Sequence, residues 1–326
     1  MKIWRCFFLI GLLTTLVGLV VNLSQQKDYQ CVANEKNFAS NIVTDKDGNL
    51  FQLPFTCQLE GIISENYPSG ATKSHTATVI CCYYGNTDTL RISENHPASF
   101  YQYDFLLLSV GKTLQRGSFA EFQISTSSFT WVVYTGLFLL IISTLAIVIQ
   151  SLFTEKKWRG WFFVIILMVI VFIILLIINP MMRSLEVPPI LRSVWFIPHV
   201  VSYIIAYALL LFGWFTSIYT FCKPSSSKLQ HSIDMLESGT AFYTIGLALG
   251  IIWAKSAWGS FWNWDPKETM ALIAYGYCLS AVLILRQKSN SASLNLIVQS
   301  IGIILMIVCW LSPQLLFGHL ESMHSY

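Results

Sequence analysis

The stretch Phe129-Thr-Trp-Val-Val-Tyr-Thr-Gly-Leu-Phe-Leu-Leu-Ile-Ile-Ser-Thr-Leu-Ala-Ile-Val-Ile-Gln-Ser-Leu-Phe153 contains no Asp, Glu, Lys or Arg. A helix of about 20 apolar residues crosses the ~30 Å hydrocarbon core of a bilayer, with its backbone polar groups paired internally. This run therefore reads as a membrane span. Similar runs lie at roughly 4–23, 161–179, 198–222, 238–256, 268–286 and 295–312, which makes seven in all. Composition agrees: 54% of residues are hydrophobic, 11% are charged, and the mean hydropathy is +0.58. Soluble domains carry roughly 25% charged residues, so a water-soluble fold is excluded.

Basic residues in the short loops set the orientation. One set of loops holds Lys2, Arg5, Lys156, Lys157, Arg159, Lys223, Lys228, Arg286 and Lys288; the other holds Arg183, Arg192, Lys255 and Lys267. The bias places the N-terminus in the cytoplasm and the C-terminus outside. The net charge of +3 is then a property of topology and gives no reason to expect nucleic acid as a partner. No small-x-small cleavage site follows the first run at Asn22-Leu23-Ser24-Gln25-Gln26, so that run is expected to be an uncleaved anchor.

Residues 24–128 differ from the rest. Turn signals at Asp47-Gly48-Asn49, Pro68-Ser69-Gly70 and Gly85-Asn86-Thr87-Asp88 separate β-rich runs such as Thr76-Ala-Thr-Val-Ile-Cys-Cys-Tyr-Tyr84. The reading is an all-α polytopic membrane protein of about seven transmembrane helices with a small, mainly β extracytoplasmic domain. Its parts are an anchor at 1–23, the β domain at 24–128 and a six-helix membrane domain at 129–326. Of eight cysteines, Cys31, Cys57, Cys81 and Cys82 fall in the β domain, where a disulfide is chemically possible. Cys81 and Cys82 point to opposite faces of any strand, so a bond between them is disfavoured; the pairing is otherwise open.

Four of the chain's eleven tryptophans fall between residues 253 and 264, in Trp253-Ala-Lys-Ser-Ala-Trp258-Gly-Ser-Phe-Trp262-Asn-Trp264-Asp265-Pro266-Lys267-Glu268. An aromatic belt at the membrane boundary would also favour Trp. Asp265, Pro266 and Glu268 form a helix start, as N-cap, N1 proline and capping-box acid. That rigid start fixes the indoles on the outer face, and Gly259 lets the backbone come close to a flat ligand. Trp253, Trp258, Trp262 and Trp264 then make a stacking platform for a planar macrocycle. Two histidines lie at the same depth: His199 at the outer start of one span, and His324 beyond the outer end of the last. A lone interfacial His is usually a polar tip, but a pair flanking aromatic planes can ligate a haem iron from two sides. His319 is the rival for the second position.

The run Trp258-Gly-Ser-Phe-Trp262-Asn-Trp264-Asp265-Pro266-Lys267-Glu268 resembles the WWD signature of the haem-handling proteins of cytochrome c synthesis. These are the CcsA/ResC proteins of System II and their CcmC and CcmF relatives. Pro198-His199-Val200 with Ser202-Tyr203 resembles the family's first external histidine, and His324-Ser325-Tyr326 the second, over most of residues 195–326. A weaker likeness joins Leu53-Pro54-Phe55, Glu60, Tyr67-Pro-Ser-Gly70, Asn95-His96-Pro97 and Phe100-Tyr101-Gln102 to the outer domain of the ResB/CcsB partner. In departure from fused members, no histidine falls inside the second, third, fifth, sixth or seventh run.

The resemblance implies haem b on the Trp loop, near Gly259 and Asp265, with His199 and His324 as axial ligands of the iron. It implies attachment of that haem to the Cys-x-x-Cys-His segment of apocytochrome c, a haem lyase activity. The alternative is a haem carrier or exporter that serves a separate ligase. Lys255, Lys267 and Arg192 lie at the depth of the haem propionates. The implied partners are apocytochrome c, haem, membrane lipid, a thiol-reducing protein and other cytochrome c assembly components. The implied place is the bacterial inner membrane, with the β domain and haem site on the extracytoplasmic side.

Overall fold

The computed structural model describes residues 2–34, 40–45, 47–67, 72–94, 96–113, 117–126, 129–154, 191, 193–287 and 291–315. The chain enters through helix α1 (Lys2–Gln25) and forms eight strands. These are β1 (Lys27–Asn34), β2 (Ser40–Asp45), β3 (Leu50–Asn66), β4 (Thr72–Tyr83), β5 (Asn86–Ser93), β6 (Ala98–Phe100), β7 (Tyr103–Thr113) and β8 (Gly117–Thr126). Five further helices follow: α2 (Thr130–Thr154), α3 (Phe196–Cys222), α4 (Ser226–Trp258), α5 (Pro266–Gln287) and α6 (Ala292–Leu315).

The strands make one antiparallel sheet in the order β5-β4-β3-β2-β1-β8-β7-β6. β1 pairs with β8 from Lys27↔Thr126 to Asn34↔Phe119, and the two ends of the sheet meet in a bridge between Ser93 and His96. The result is an up-and-down near-barrel, its two edge strands joined by that one bridge and not by a ladder. Alternation drives it: Leu53, Phe55, Cys57 and Leu59 of β3 and Ala120, Phe122 and Ile124 of β8 are buried in one interior cluster. Phe55 meets Phe100 and Tyr103 edge-on at 5.2 and 5.0 Å. Pro54, which has no N–H to give a ladder, sits between Gln52 and Cys57, where the β2–β3 register shifts.

Two of the expected turns close hairpins. Asp45 accepts hydrogen bonds from the N–H groups of Asp47 and Asn49, and Asn49 also donates from its side-chain amide. These bonds, the Asn49 amide first, hold the Asp45 carboxyl below its ordinary pKa. Between β4 and β5, Tyr84 and Gly85 both take positive φ, the pattern of a type I′ hairpin. The turn signal at 68–70 lies outside the described residues.

The expected class, all-α with about seven spans and a small β domain, is corrected on two counts. The sheet is a large eight-stranded near-barrel filling most of residues 27–126, so the protein pairs a β body with a helical one. Six helices among the described residues are long and apolar enough to cross a membrane, which makes this a multi-pass membrane protein; the run at 161–179 lies outside the described residues. The sheet exceeds the expectation because alternate residues of each strand face outward, so each strand carries only a short, weak apolar signal. Helix α4 is also longer than its apolar run. Its first turns carry Asp234 and Glu237, both bound by Arg286 of α5, so charge ends the hydrophobic pattern without ending the helix.

Candidate functional site: a tryptophan-walled cavity beside His199

Helix α4 ends at Trp258, and Gly259 follows in the left-handed region (φ +75°), its N–H donating to the Lys255 carbonyl. This glycine C-cap turns the chain into the loop that leads to α5. The ammonium of Lys255, almost wholly buried, donates to the Gly259 carbonyl and pairs with Asp104 of β7, each at 2.9 Å. Gly259 itself faces the sheet: a Cβ there would stand 3.5 Å from Leu106. The loop is thus clamped to the sheet by an ion pair and by packing, and Lys255 is already engaged within the protein.

The far end of the loop is capped as the sequence suggests. Asp265, buried, accepts from the Lys267 N–H at 2.9 Å; Glu268 accepts from the Asn263 N–H at 2.9 Å and from Asp265 at 3.4 Å. Both loop ends are therefore tied, and the indoles between them are held in place.

His199 lies in the first turn of α3. Its Nδ1–H donates to the Gly246 carbonyl of α4 at 2.8 Å, because a carbonyl only accepts. The neutral ring with Nδ1 protonated carries its lone pair on Nε2, the arrangement found for metal-ligating histidines held by a backbone carbonyl. Room for the ring comes from Gly250, where a Cβ would stand 2.6 Å from the imidazole Cε1. Trp253 lies 5.6 Å from the ring and Tyr203 meets it edge-on at 4.9 Å.

These groups face a cavity of about 430 Å³ between α3, α4, α5 and α6, within the range of about 300–1,000 Å³ usual for small-molecule sites. His199, Tyr203, Trp253, Trp258, Trp262, Lys267 and Glu268 are in its wall, with Trp310 and Cys309 of α6. Trp253 and Trp258 pack at 4.9 Å. Trp264, largely exposed and at φ +56°, lies beyond Trp262, where both line a second, apolar cavity against α1 and α2. So His199, Trp258 and Trp262 share one wall; Gly259 and Asp265 shape the loop; and Trp264 stands on its other side. His324, His319 and Arg192 lie outside the described residues. Trp253 lies in the wall with Trp258 and Trp262, whereas Tyr203, Tyr207 and Gly250 are wall residues that residue chemistry did not single out. Two signals were present: His199, Tyr203 and Tyr207 recur at i+4 on one face of α3, and Gly246 and Gly250 form a G-x-x-x-G notch on α4.

The sequence model described as Cytochrome C assembly protein matches residues 131–320. The chain belongs to the cytochrome c assembly protein family. That match holds His199, the cavity and the whole Trp loop, whereas the sheet precedes it. Among the relatives are proteins named cytochrome c biogenesis protein CcsA. The one from Chlamydomonas reinhardtii is 31% identical over 159 residues, 45% of this chain and 44% of its own. The one from Carica papaya is 29% identical over 200 residues, 46% of this chain and 62% of its own. The one from Eucalyptus globulus subsp. globulus is 41% identical over 98 residues, 30% of each chain. The chain thus spans between about a third and three fifths of the length of these relatives.

Proposed function

We propose that this protein acts in cytochrome c biogenesis, and that the cavity beside His199 receives haem b as substrate for attachment to apocytochrome c. One observation carries the reading: an imidazole fixed by a backbone carbonyl, with its metal-binding nitrogen defined, in the wall of a tryptophan-lined cavity of fitting size. Haem fits this donor set, which has flat aromatic walls, a nitrogen ligand and, at Lys267, a cation suited to a propionate. Haem supplies the iron and two vinyl groups; each thiol of Cys-x-x-Cys-His adds across one vinyl, its sulfur to one carbon and a hydrogen to the other.

The chain's own residues position the reactants. His199 would ligate the iron on one face, and His324 is the proposed second ligand, with His319 as its rival. Trp253, Trp258 and Trp262 would exclude water and offer flat aromatic faces to the macrocycle. Holding vinyl carbons beside two thiols turns a slow encounter into an effectively unimolecular step. In this reading the sheet and the Trp loop lie on the outer side of the membrane, with the N-terminus in the cytoplasm, and the sheet serves as a ResB-like partner domain. The docking of Lys255 on Asp104 supports placing both on one side.

Absorption spectra of the purified protein test this. Wild type is expected to carry haem, and His199→Ala to lose or shift its bands, with recovery of the His199→Gly variant by added imidazole. Unchanged bands in His199→Ala overturn the ligand assignment. Co-expression with an apocytochrome in a host without its own maturation system separates the activities: covalent haem supports a lyase, and bound haem without attachment supports a carrier.

A further inference from the structure

Three cysteines share the interior of the sheet. Cys31, Cys57 and Cys81 are 5%, 4% and 0% exposed, whereas Cys82, one residue on, turns to the other face and is half-buried. Cys57 of β3 and Cys81 of β4 stand directly opposite in register, and their Sγ atoms are 3.7 Å apart. Directly opposed residues of antiparallel strands have Cα atoms about 4.5–5.5 Å apart. A disulfide needs about 4.4–6.8 Å between Cα atoms and about 2.0 Å between sulfurs. Rotation about the side-chain bonds therefore closes the gap with little backbone movement. Cys31 stands opposite Phe122 of β8, and β2 separates its strand from β3, so it has no such register with the pair.

We propose that Cys57 and Cys81 form a disulfide in the mature protein, with Cys31 and Cys82 remaining thiols. The inference rests on the outer placement of the sheet, since disulfides persist in oxidising compartments. The bond forms by exchange with a disulfide oxidant. One thiolate attacks the oxidant and releases its first thiol; the second attacks the mixed disulfide and releases the other. The oxidant's disulfide is reduced to two thiols, the cysteine pair is oxidised, and the two protons pass to the released thiols.

Burial sets the timing. Inside the finished sheet the hydrogen bond to Cys81 and then desolvation hold the Cys57 thiol far above its ordinary pKa, and burial pushes Cys31 up to about 11. Thiolates are the reactive form, so these thiols are inert once enclosed. The bridge is made while β3 and β4 pair and before the near-barrel closes. The same enclosure keeps the bond from reductants, and from the thiols of an apocytochrome. It is a staple of the sheet that clamps the Trp loop.

The test quenches the full-length protein with N-ethylmaleimide in intact membranes, denatures it without reductant, alkylates it again and maps peptides by mass spectrometry. The expected result is one linked pair of peptides holding Cys57 and Cys81, two hydrogens lighter than their sum, with Cys31 and Cys82 alkylated. In Cys57→Ala the link disappears and Cys81 becomes alkylated. Recovery of both residues as alkylated thiols, or a link through Cys31, overturns the proposal. A second arm reads the placement alone: a thiol introduced by Leu50→Cys, an exposed position, is expected to react with a membrane-impermeant maleimide in intact cells. If the pair is reduced and Leu50→Cys is labelled, only the disulfide falls. If the pair is reduced and Leu50→Cys is protected, the outer placement falls with it.

Discussion

The sheet and the helical body solve opposite problems. The near-barrel curls round and fills its interior with Phe55, Phe105, Phe122, Leu53 and Ile124. Eight strands enclose a space that side chains just fill. In the helical body, Gly250 makes room for His199 and Gly246 for Tyr203, and tryptophans stand around a cavity that remains open. A ligand site needs walls that do not collapse. Here one wall is tied to the rigid sheet through Lys255 and Asp104, so the filled body holds the open one in shape.

The joint between the two bodies is expected to give the largest effect. Asp104→Asn leaves the Lys255 ammonium buried beside a neutral partner and should cost about 3 kcal/mol, read as lower thermal stability in detergent by tryptophan fluorescence. Lys255→Met combined with Asp104→Leu should recover much of that loss. If the two changes add without recovery, the pair is not the joint.

Next in size is the notch. Gly250→Ala puts a Cβ where the His199 ring stands, and overpacking of this kind costs about 1–3 kcal/mol. If the cavity holds haem as proposed, its absorption bands should weaken with it. Gly276→Ala, where a Cβ meets nothing within 4 Å, should change neither stability nor spectrum. Equal effects at the two positions would remove the distinction between open and filled regions of the helical body.

The smallest change is expected at the loop's far end. Asp265→Ala removes the side-chain cap of α5 and should cost about 1 kcal/mol. The sheet should stay intact, as read by far-ultraviolet circular dichroism, while the exposed Trp264 reports a looser loop by its fluorescence.

The helices were legible because a membrane span writes itself locally: about twenty apolar residues suffice, whatever the partners. All six observed helices overlap an apolar run in the sequence. The capping of α5 was legible for the same reason, since Asp265, Pro266 and Glu268 act within one turn. The assembly of the β segment into one eight-stranded near-barrel was not legible, because its interior is built from alternate residues of eight strands, and β1 meets β8 across almost the whole of that segment.

In the site, residue chemistry pointed to His199 and the tryptophans, but their sharing of a wall depended on packing. Gly259 was read from its conformational freedom, and the fold uses that freedom to end α4 against Leu106. Lys255 has the right charge for a ligand carboxylate, but Asp104, 151 residues away in the chain, holds it. Sequence alone determined the apolar spans, the helix start at Asp265 and the clustering of tryptophans in one loop, since each depends on near neighbours. Tertiary structure alone decided which tryptophans face His199, which imidazole nitrogen is held and which cysteines stand opposed, because those depend on contacts between segments far apart in the chain.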